Sequence, residues 1–136
     1  MTAHAPARRR ILCALTLCAL AAGAGATGAQ RSEKGSFLLS LESSLEPLAI
    51  NVMHSWQLRL TDAAGAPISG ARIEVSGGMP EHDHGLATAP RVTRDLGGGR
   101  YLLEGLRFHM AGRWVLVFHV EAAGETDRVL VEVTPQ

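Results

Sequence analysis

Two short groups of nitrogen and sulfur donors stand out in this sequence of 136 residues. The first lies in residues 77–90, where His82 and His84 are separated by one residue and Met79 precedes them. His109 and Met110 form the second group. Imidazole suits zinc, copper, iron and nickel, whereas thioether sulfur is soft and selects chiefly copper(I). A metal site is therefore expected if the fold brings the two groups together, and copper is favoured over zinc.

The cysteines narrow the kind of metal site. Both of them, Cys13 and Cys18, lie close to the N-terminus, in a segment that has the features of a secretory signal. Without that segment the domain has no thiolate ligand, and a blue-copper electron-transfer centre requires one. Copper binding, transport or delivery is therefore a better prediction than redox catalysis.

The first 29 residues have the three-part layout of a signal peptide. Three arginines, Arg8 to Arg10, precede an apolar run over 11–22, and a tract of small residues follows over 23–29. The run is too short for a membrane-spanning helix, which needs roughly 20 apolar residues. We expect cleavage after Ala29, with Ala26 as a second option and an uncleaved anchor as the alternative. The mature domain would then be residues 30–136, periplasmic or secreted and without a membrane span.

The charge of the predicted mature chain argues against nucleic acid as a partner. The whole chain has 13 basic and 13 acidic residues, and removal of Arg8 to Arg10 leaves 10 and 13, a formal charge of −3. Phosphate binding needs a basic patch, and the remaining basic residues are scattered singly.

From residue 31 onward, short runs alternate between apolar and polar residues and are separated by turn formers. A period of two is typical of strands with one buried face, on which Trp56 belongs to the core. Such runs at roughly 8–12 residue spacing predict an all-β fold, a seven-stranded antiparallel sandwich of the immunoglobulin or cupredoxin type. The predicted strands are residues 36–41, 52–61, 71–76, 91–96, 100–106, 112–121 and 126–134.

This strand order also predicts where the donors lie. Each strand of a sandwich crosses the domain once, so connections separated by two strands emerge at the same end. The first, third and fifth connections therefore share one end, and they carry the approach to His54, the loop with His82 and His84, and the turn with His109. His119 should lie toward the other end.

Several donors also have a structural interpretation. Met110 is equally suited to plug the core, and Met79 to form a partly exposed lid. His54 shares a face with Trp56, which favours a hydrogen-bonded core or rim position. Glu81 and Asp83, the two carboxylates of the histidine loop, are expected to be solvated or to orient an imidazole. We assign no nucleophile or general base, so an enzyme is not expected.

The motifs resemble those of the YtkA-like and FixH-like domains, over about residues 51–134. The core of the resemblance is the pair Met-Pro-x-His-x-His-Gly, at residues 79–85, and Phe-x-Met-x-Gly-x-Trp, at residues 108–114. Shorter matches are the segments 60–62, 65–67, 99–101 and 104–107. The resemblance implies a small exported or membrane-tethered bacterial β-sandwich domain, and its motif positions are Met79, His82, His84 and Met110.

FixH-like members are associated with copper handling during assembly of respiratory oxidases, so the resemblance implies a protein partner for metal transfer. FixH-like proteins usually keep a membrane anchor, whereas a cleavable signal is expected here. The leading hypothesis is reversible copper binding or delivery through His82, His84 and His109 with Met79 or Met110. The alternative is a non-enzymatic interaction module whose histidine loop is a structural cap or a partner-binding surface.

Overall fold

The computed structural model describes residues 26–136, and every regular element in that part of the chain is a β-strand. All seven strands expected from the alternation are present, with their ends shifted by a few residues. In chain order the elements are β1 (Ala26–Arg31), β2 (Phe37–Ser43), β3 (His54–Asp62), β4 (Arg72–Met79), β5 (His84–Gly85), β6 (Arg91–Gly97), β7 (Arg100–Leu106), β8 (Trp114–Ala122) and β9 (Glu125–Val133).

The strands form one antiparallel sheet that is nearly closed into a barrel. Its order is β1-β2-β3-β7-β6-β4-β8-β9, with β5 paired to β4 outside this path. The link between β6 and β4 is the single pair Glu74 and Arg91. At the other junction β9 packs against β1 and β2, where the backbone N–H of Glu33 donates to the carbonyl of Arg128.

The prediction of seven strands in two sheets is therefore wrong in its details, because the described part of the chain has nine strands in one sheet. The two additional strands are β1, which lies in an alanine- and glycine-rich tract, and β5, which has two residues in the histidine loop. Neither segment has hydrophobic alternation, so the period of the sequence could not reveal them. Residues 26–29 of β1 fall within the predicted signal, and the rest of that signal lies outside the described residues.

The buried faces follow the sequence alternation closely. Trp56, Leu58 and Leu60 of β3 lie in the core, as do the inward residues of β8, which begin with Trp114 and Leu116. A β-strand places successive side chains on opposite faces, so the polar residues between them reach the outer surface. No helix within residues 26–136 is long and apolar enough to span a membrane.

The sheet register brings several strand ends to one end of the barrel. β4 and β8 pair along their length as far as Gly78 and Val115. His54, at the start of β3, pairs with Leu106 at the end of β7. The segment that links β7 to β8 therefore crosses the same end at which β4 runs into the histidine loop.

Candidate metal centre

The histidine loop is a tight excursion from the end of β4. A turn closes at its start, where the backbone N–H of His82 donates to the carbonyl of Met79 (3.1 Å). Asp83 then takes a left-handed conformation with φ of 52°, and His84 returns to pair with Met79. Asp and Asn tolerate this conformation better than most residues. The loop thereby presents His82 and His84 on the outside of the domain, where both side chains are exposed.

Two glycines let the loop lie close to the sheet. A Cβ on Gly77 would stand 2.6 Å from the carbonyl oxygen of Val115 on β8. A Cβ on Gly78 would collide with the carbonyl oxygen of His84 on β5. β4 is therefore flanked by β8 and β5 at a spacing that only glycine permits, because a side chain at either position would push one neighbour away.

Met79 is a core residue, and its predicted partial exposure is wrong. Only 1% of its surface is accessible. Its Cε lies 3.0 Å from the position that a Cβ on Gly112 would occupy, so the thioether end packs beneath the connection between β7 and β8. Glycine at position 112, with φ of 117°, leaves room for this contact. Met79 thus fills the interior below the loop, as flexible methionine side chains often do.

The second donor group is held by Trp114. The indole N–H of Trp114 donates to the carbonyl oxygen of Met110 (3.0 Å), which fixes the turn before β8. The ring of His109 lies edge-on to the same indole, with centroids 5.3 Å apart. Phe108 is fully buried, whereas His109 and Met110 are half-buried. The turn therefore places one imidazole and one thioether at the surface end of the core.

The three predicted metal-binding imidazoles lie in a row. The ring centroids of His82 and His84 are 6.1 Å apart, and those of His84 and His109 are 5.7 Å apart. Two imidazoles that bind one metal through nitrogens at about 2.0 Å have centroids roughly 5 to 6.5 Å apart. The expectation that the two donor groups meet at one end is thus confirmed, and each neighbouring pair has a spacing compatible with a shared ion.

The row is not a closed cage for a metal. Within the described chain, no three His, Cys, Asp or Glu side chains are arranged to hold one ion as they stand. His84 is close to both His82 and His109, but no single point is within reach of all three rings. A third donor would therefore require a change in the position of the loop or a contribution from the thioether of Met110. Imidazole nitrogen and thioether sulfur are donors that suit copper. The imidazoles are arranged as two neighbouring pairs and not as a set of three around one point.

One buried nitrogen atom in the row of imidazoles has no hydrogen-bond partner among the described residues. The Nδ1 atom of His109 is buried, and no group within residues 26–136 hydrogen-bonds to it. A buried polar atom without a partner costs about 1–3 kcal/mol. The same state is found for His54 Nε2, Trp56 Nε1 and Arg107 Nε, so it is not confined to the row and does not by itself indicate a ligand.

Arg113 ties the loop to the sheet. Its guanidinium donates to the carboxylate of Glu132 on β9 through Nε (3.0 Å) and Nη2 (2.5 Å), and it lies 3.9 Å from the carboxylate of Glu81 in the loop. The hydrogen bond and charge of Glu132 raise the pKa of Arg113. All three groups are largely exposed, so the contact positions the loop more than it stabilises the fold. Asp83 is exposed and lies in no ion pair of the described chain.

The remaining histidines lie outside the row. His54 is buried, as expected, and its Nδ1 lies 3.1 Å from the carbonyl oxygen of Val52. Its ring packs against those of Trp56 and Phe108. His119 is exposed on β8 opposite Glu74, with its Nε2 3.5 Å from the hydroxyl of Ser76. Since Glu74 lies near the start of β4, the prediction that His119 lies toward the other end of the domain is confirmed.

Three residues contribute to the site without having been predicted there from the sequence: Gly112, Arg113 and Trp114. All three belong to the motif Phe-x-Met-x-Gly-x-Trp, but the motif does not reveal which face each residue takes. Trp114 was identifiable as a core residue from the alternation of β8. Its indole hydrogen bond and its contact with His109 depend on the path of the preceding turn.

The fold and the residues at this end of the barrel define a small all-β domain in which a histidine-rich loop lies over the buried side chain of Met79. A family model described as YtkA-like matches residues 33–119, which is more than half of the chain. The chain belongs to the YtkA-like family, as the resemblance predicted. Comparisons with curated proteins and with solved structures give no significant match.

Proposed function

We propose that this domain binds copper reversibly in an exported compartment and passes it to a protein partner. His84 and His109 are assigned as the central donors, and His82 and the thioether of Met110 as the additional ones. Met79 supports the loop from below, since its side chain is enclosed in the core.

The observation that carries this proposal is the meeting of His84 and His109. Their ring centroids are 5.7 Å apart although they lie on separate connections of the sheet. The compartment follows from the predicted signal and from the resemblance.

The donor types favour copper(I) as the cargo. Two or three imidazole and thioether donors satisfy this soft ion, and the mature part of the predicted chain offers no thiolate to compete. His109 is held against Trp114, whereas His82 and His84 are exposed on the loop. A site with one half-buried donor and two exposed donors suits exchange with a partner, because a partner can reach the exposed donors without unfolding the sheet.

Titration with copper(I) against a competing chelator tests the proposal. The double variant His82→Ala/His84→Ala is expected to lower the affinity at least about tenfold, which corresponds to roughly 1.4 kcal/mol of binding free energy. His119→Ala is the matched control, since it removes an exposed imidazole from β8. An affinity of micromolar or weaker that the double variant leaves unchanged would refute copper binding.

A second candidate function is an interaction module in which the loop is a structural cap. The enclosure of Met79 and the contact between Glu81 and Arg113 favour it, because both hold the loop in place without a metal. Under this alternative the double histidine variant retains its copper affinity and loses thermal stability. If the loop binds copper, the double variant should instead lose copper affinity. Its thermal stability without metal should be unchanged, because the two exposed rings contribute little to packing.

A further inference from the structure

From β3 to β9, the exposed arginines divide into two populations. Those of β4, β8, β9 and the adjoining turns form ion pairs, namely Arg72 with Glu74, Arg113 with Glu132 and Glu81, and Arg128 with Glu33. Those on β3, β6 and β7 are exposed and form no ion pair within residues 26–136; they are Arg59, Arg91, Arg94 and Arg100. The same side of the barrel also carries the exposed carboxylates Glu42, Asp95 and Glu104, so what sets these arginines apart is the lack of an ion pair in the described chain and not an excess of positive charge.

Two of these arginines stand directly opposite each other. Arg59 of β3 pairs with Arg100 of β7, and Ser40 of β2 lies on the other side of Arg59. Like charges directly opposite on neighbouring strands destabilise a sheet. The pair thus lowers the stability of the free domain, and an anion between the two guanidinium groups would remove that cost.

The arginine pair closes one end of a polar groove. A hollow of about 180 Å³ is lined by Ser40, Glu42, Gln57, Arg59 and Arg100, together with the backbone of β2 and β3. An adjoining hollow of about 130 Å³ shares Glu42 and Gln57 with the first. It continues along the same strands to the hydroxyl groups of Ser43, Ser44 and Ser55. From Arg59 to Ser55 the groove is about 13 Å long, the length of about four extended residues.

We propose that this groove, from Arg59 and Arg100 to Ser44 and Ser55, binds an extended segment of a partner protein that carries a carboxylate. The two guanidinium groups bind the carboxylate, since arginine matches the planar geometry of this group with paired N–H donors. Gln57 offers a donor and an acceptor to the peptide backbone, and the hydroxyls of Ser44 and Ser55, which already bond to each other, line the other end of the groove.

The mixed charge of the groove favours a polypeptide over an anionic lipid surface. Glu42 lies in the middle of the groove and is exposed. A carboxylate there repels any anion placed beside it, but it accepts hydrogen bonds from the N–H groups of a peptide whose own carboxylate lies at the arginine end. The two hollows also follow β2 and β3, which suits one extended chain. The proposal is independent of copper, because every residue of the groove lies outside the histidine row.

Binding of a short labelled peptide to the folded domain tests the proposal. The probe is an extended serine and valine peptide that ends in two glutamates, and its control has glutamines in their place. We expect the acidic peptide to bind and to shift the backbone amide NMR signals of residues 57–59 and 100–102. The double variant Arg59→Gln/Arg100→Gln should weaken binding by about tenfold or more. The control variant Arg72→Gln/Arg128→Gln changes the net charge equally and should bind normally.

Thermal unfolding separates loss of the site from loss of the fold. Arg100→Gln removes a like-charge contact, so its melting temperature should equal or exceed that of the wild type while its peptide binding falls. Equal binding of both peptides, no binding, or equal weakening by the two double variants would overturn the proposal. Binding restricted to phosphatidylglycerol vesicles would also overturn it and would assign the face to a membrane surface.

Discussion

The imidazole of His84 stands edge-on to that of His109, with ring centroids 5.7 Å apart and an angle of 67° between the ring planes. His84 belongs to a two-residue strand whose side chains are exposed, whereas His109 is half-buried against Trp114. The contact therefore joins an exposed donor to a half-buried one. In the proposed function, a metal bound between them would link the position of the loop to the occupancy of the site.

Replacement of His109 by phenylalanine should separate binding from stability. His109→Phe keeps a ring of similar shape and removes the buried Nδ1 atom that has no partner. The free energy of unfolding should stay the same or rise by up to about 1 kcal/mol, because an unsatisfied polar atom is lost. Copper(I) affinity should fall at least about tenfold. Chemical denaturation and chelator competition measure the two effects, and His119→Phe should leave the affinity unchanged.

Met79 should behave as a plug beneath the loop. Met79→Leu preserves its volume and should change the free energy of unfolding by less than about 1.5 kcal/mol. Met79→Ala opens a cavity and should cost about 2–5 kcal/mol. Urea denaturation measures both changes. Copper(I) affinity should be normal in the leucine variant, and a selective loss of affinity there would instead identify the sulfur as a ligand.

The glycines beneath the loop give a prediction with a built-in control. Gly78→Ala would place a methyl group against the carbonyl oxygen of His84, so β5 has to move away from β4. We expect a loss of about 1–3 kcal/mol of stability, as for other overpacked sites, together with faster hydrogen exchange of the loop amides. In Gly85→Ala the added methyl group would be 4.0 Å from its nearest neighbour, so this variant should retain the wild-type exchange rates.

Asp127 should make stability depend on acidic pH. Its buried carboxylate accepts backbone hydrogen bonds from Lys34, Ser36 and Arg128. Burial raises the pKa of Asp127, but these bonds and one with Ser32 lower it by more, so the pKa lies below its ordinary value. The stabilisation is present above the ordinary pKa of about 3.9 and is lost as the pH falls through the lower pKa of the folded state.

The free energy of unfolding of the wild type should therefore decline below about pH 4. Asp127→Asn should be about 1–3 kcal/mol less stable at neutral pH and should show a weaker dependence on pH in the acidic range. Asp83→Asn, which changes an exposed carboxylate in the loop, is the matched control. An Asp127→Asn variant as stable as the wild type at neutral pH would contradict this role.

The sequence predicted most of the sheet and the meeting of the donor groups, because both depend on alternation and strand order. Inward positions such as Trp56 and Leu116 are buried as the period required. The alternation could not predict β5, which is held by two backbone pairs at Gly78 and Met79. Nor could it predict that the single pair of Glu74 and Arg91 links the halves of the sheet. The burial of Met79 could not be predicted from the sequence either, because it depends on the space that Gly112 leaves across the end of the barrel.

Side-chain ¹⁵N NMR of histidine-labelled protein can show whether copper joins two donor groups that are distant in sequence. Copper(I) is diamagnetic, so the ring nitrogens can be followed during titration. If copper binds between the groups, the signals of His84 and His109 should shift together and the shifts should be complete at one equivalent, while the signals of His54 and His119 stay in place. A shift of His82 and His84 that leaves His109 unchanged, or an equal shift of His119, would refute a copper site between the two groups.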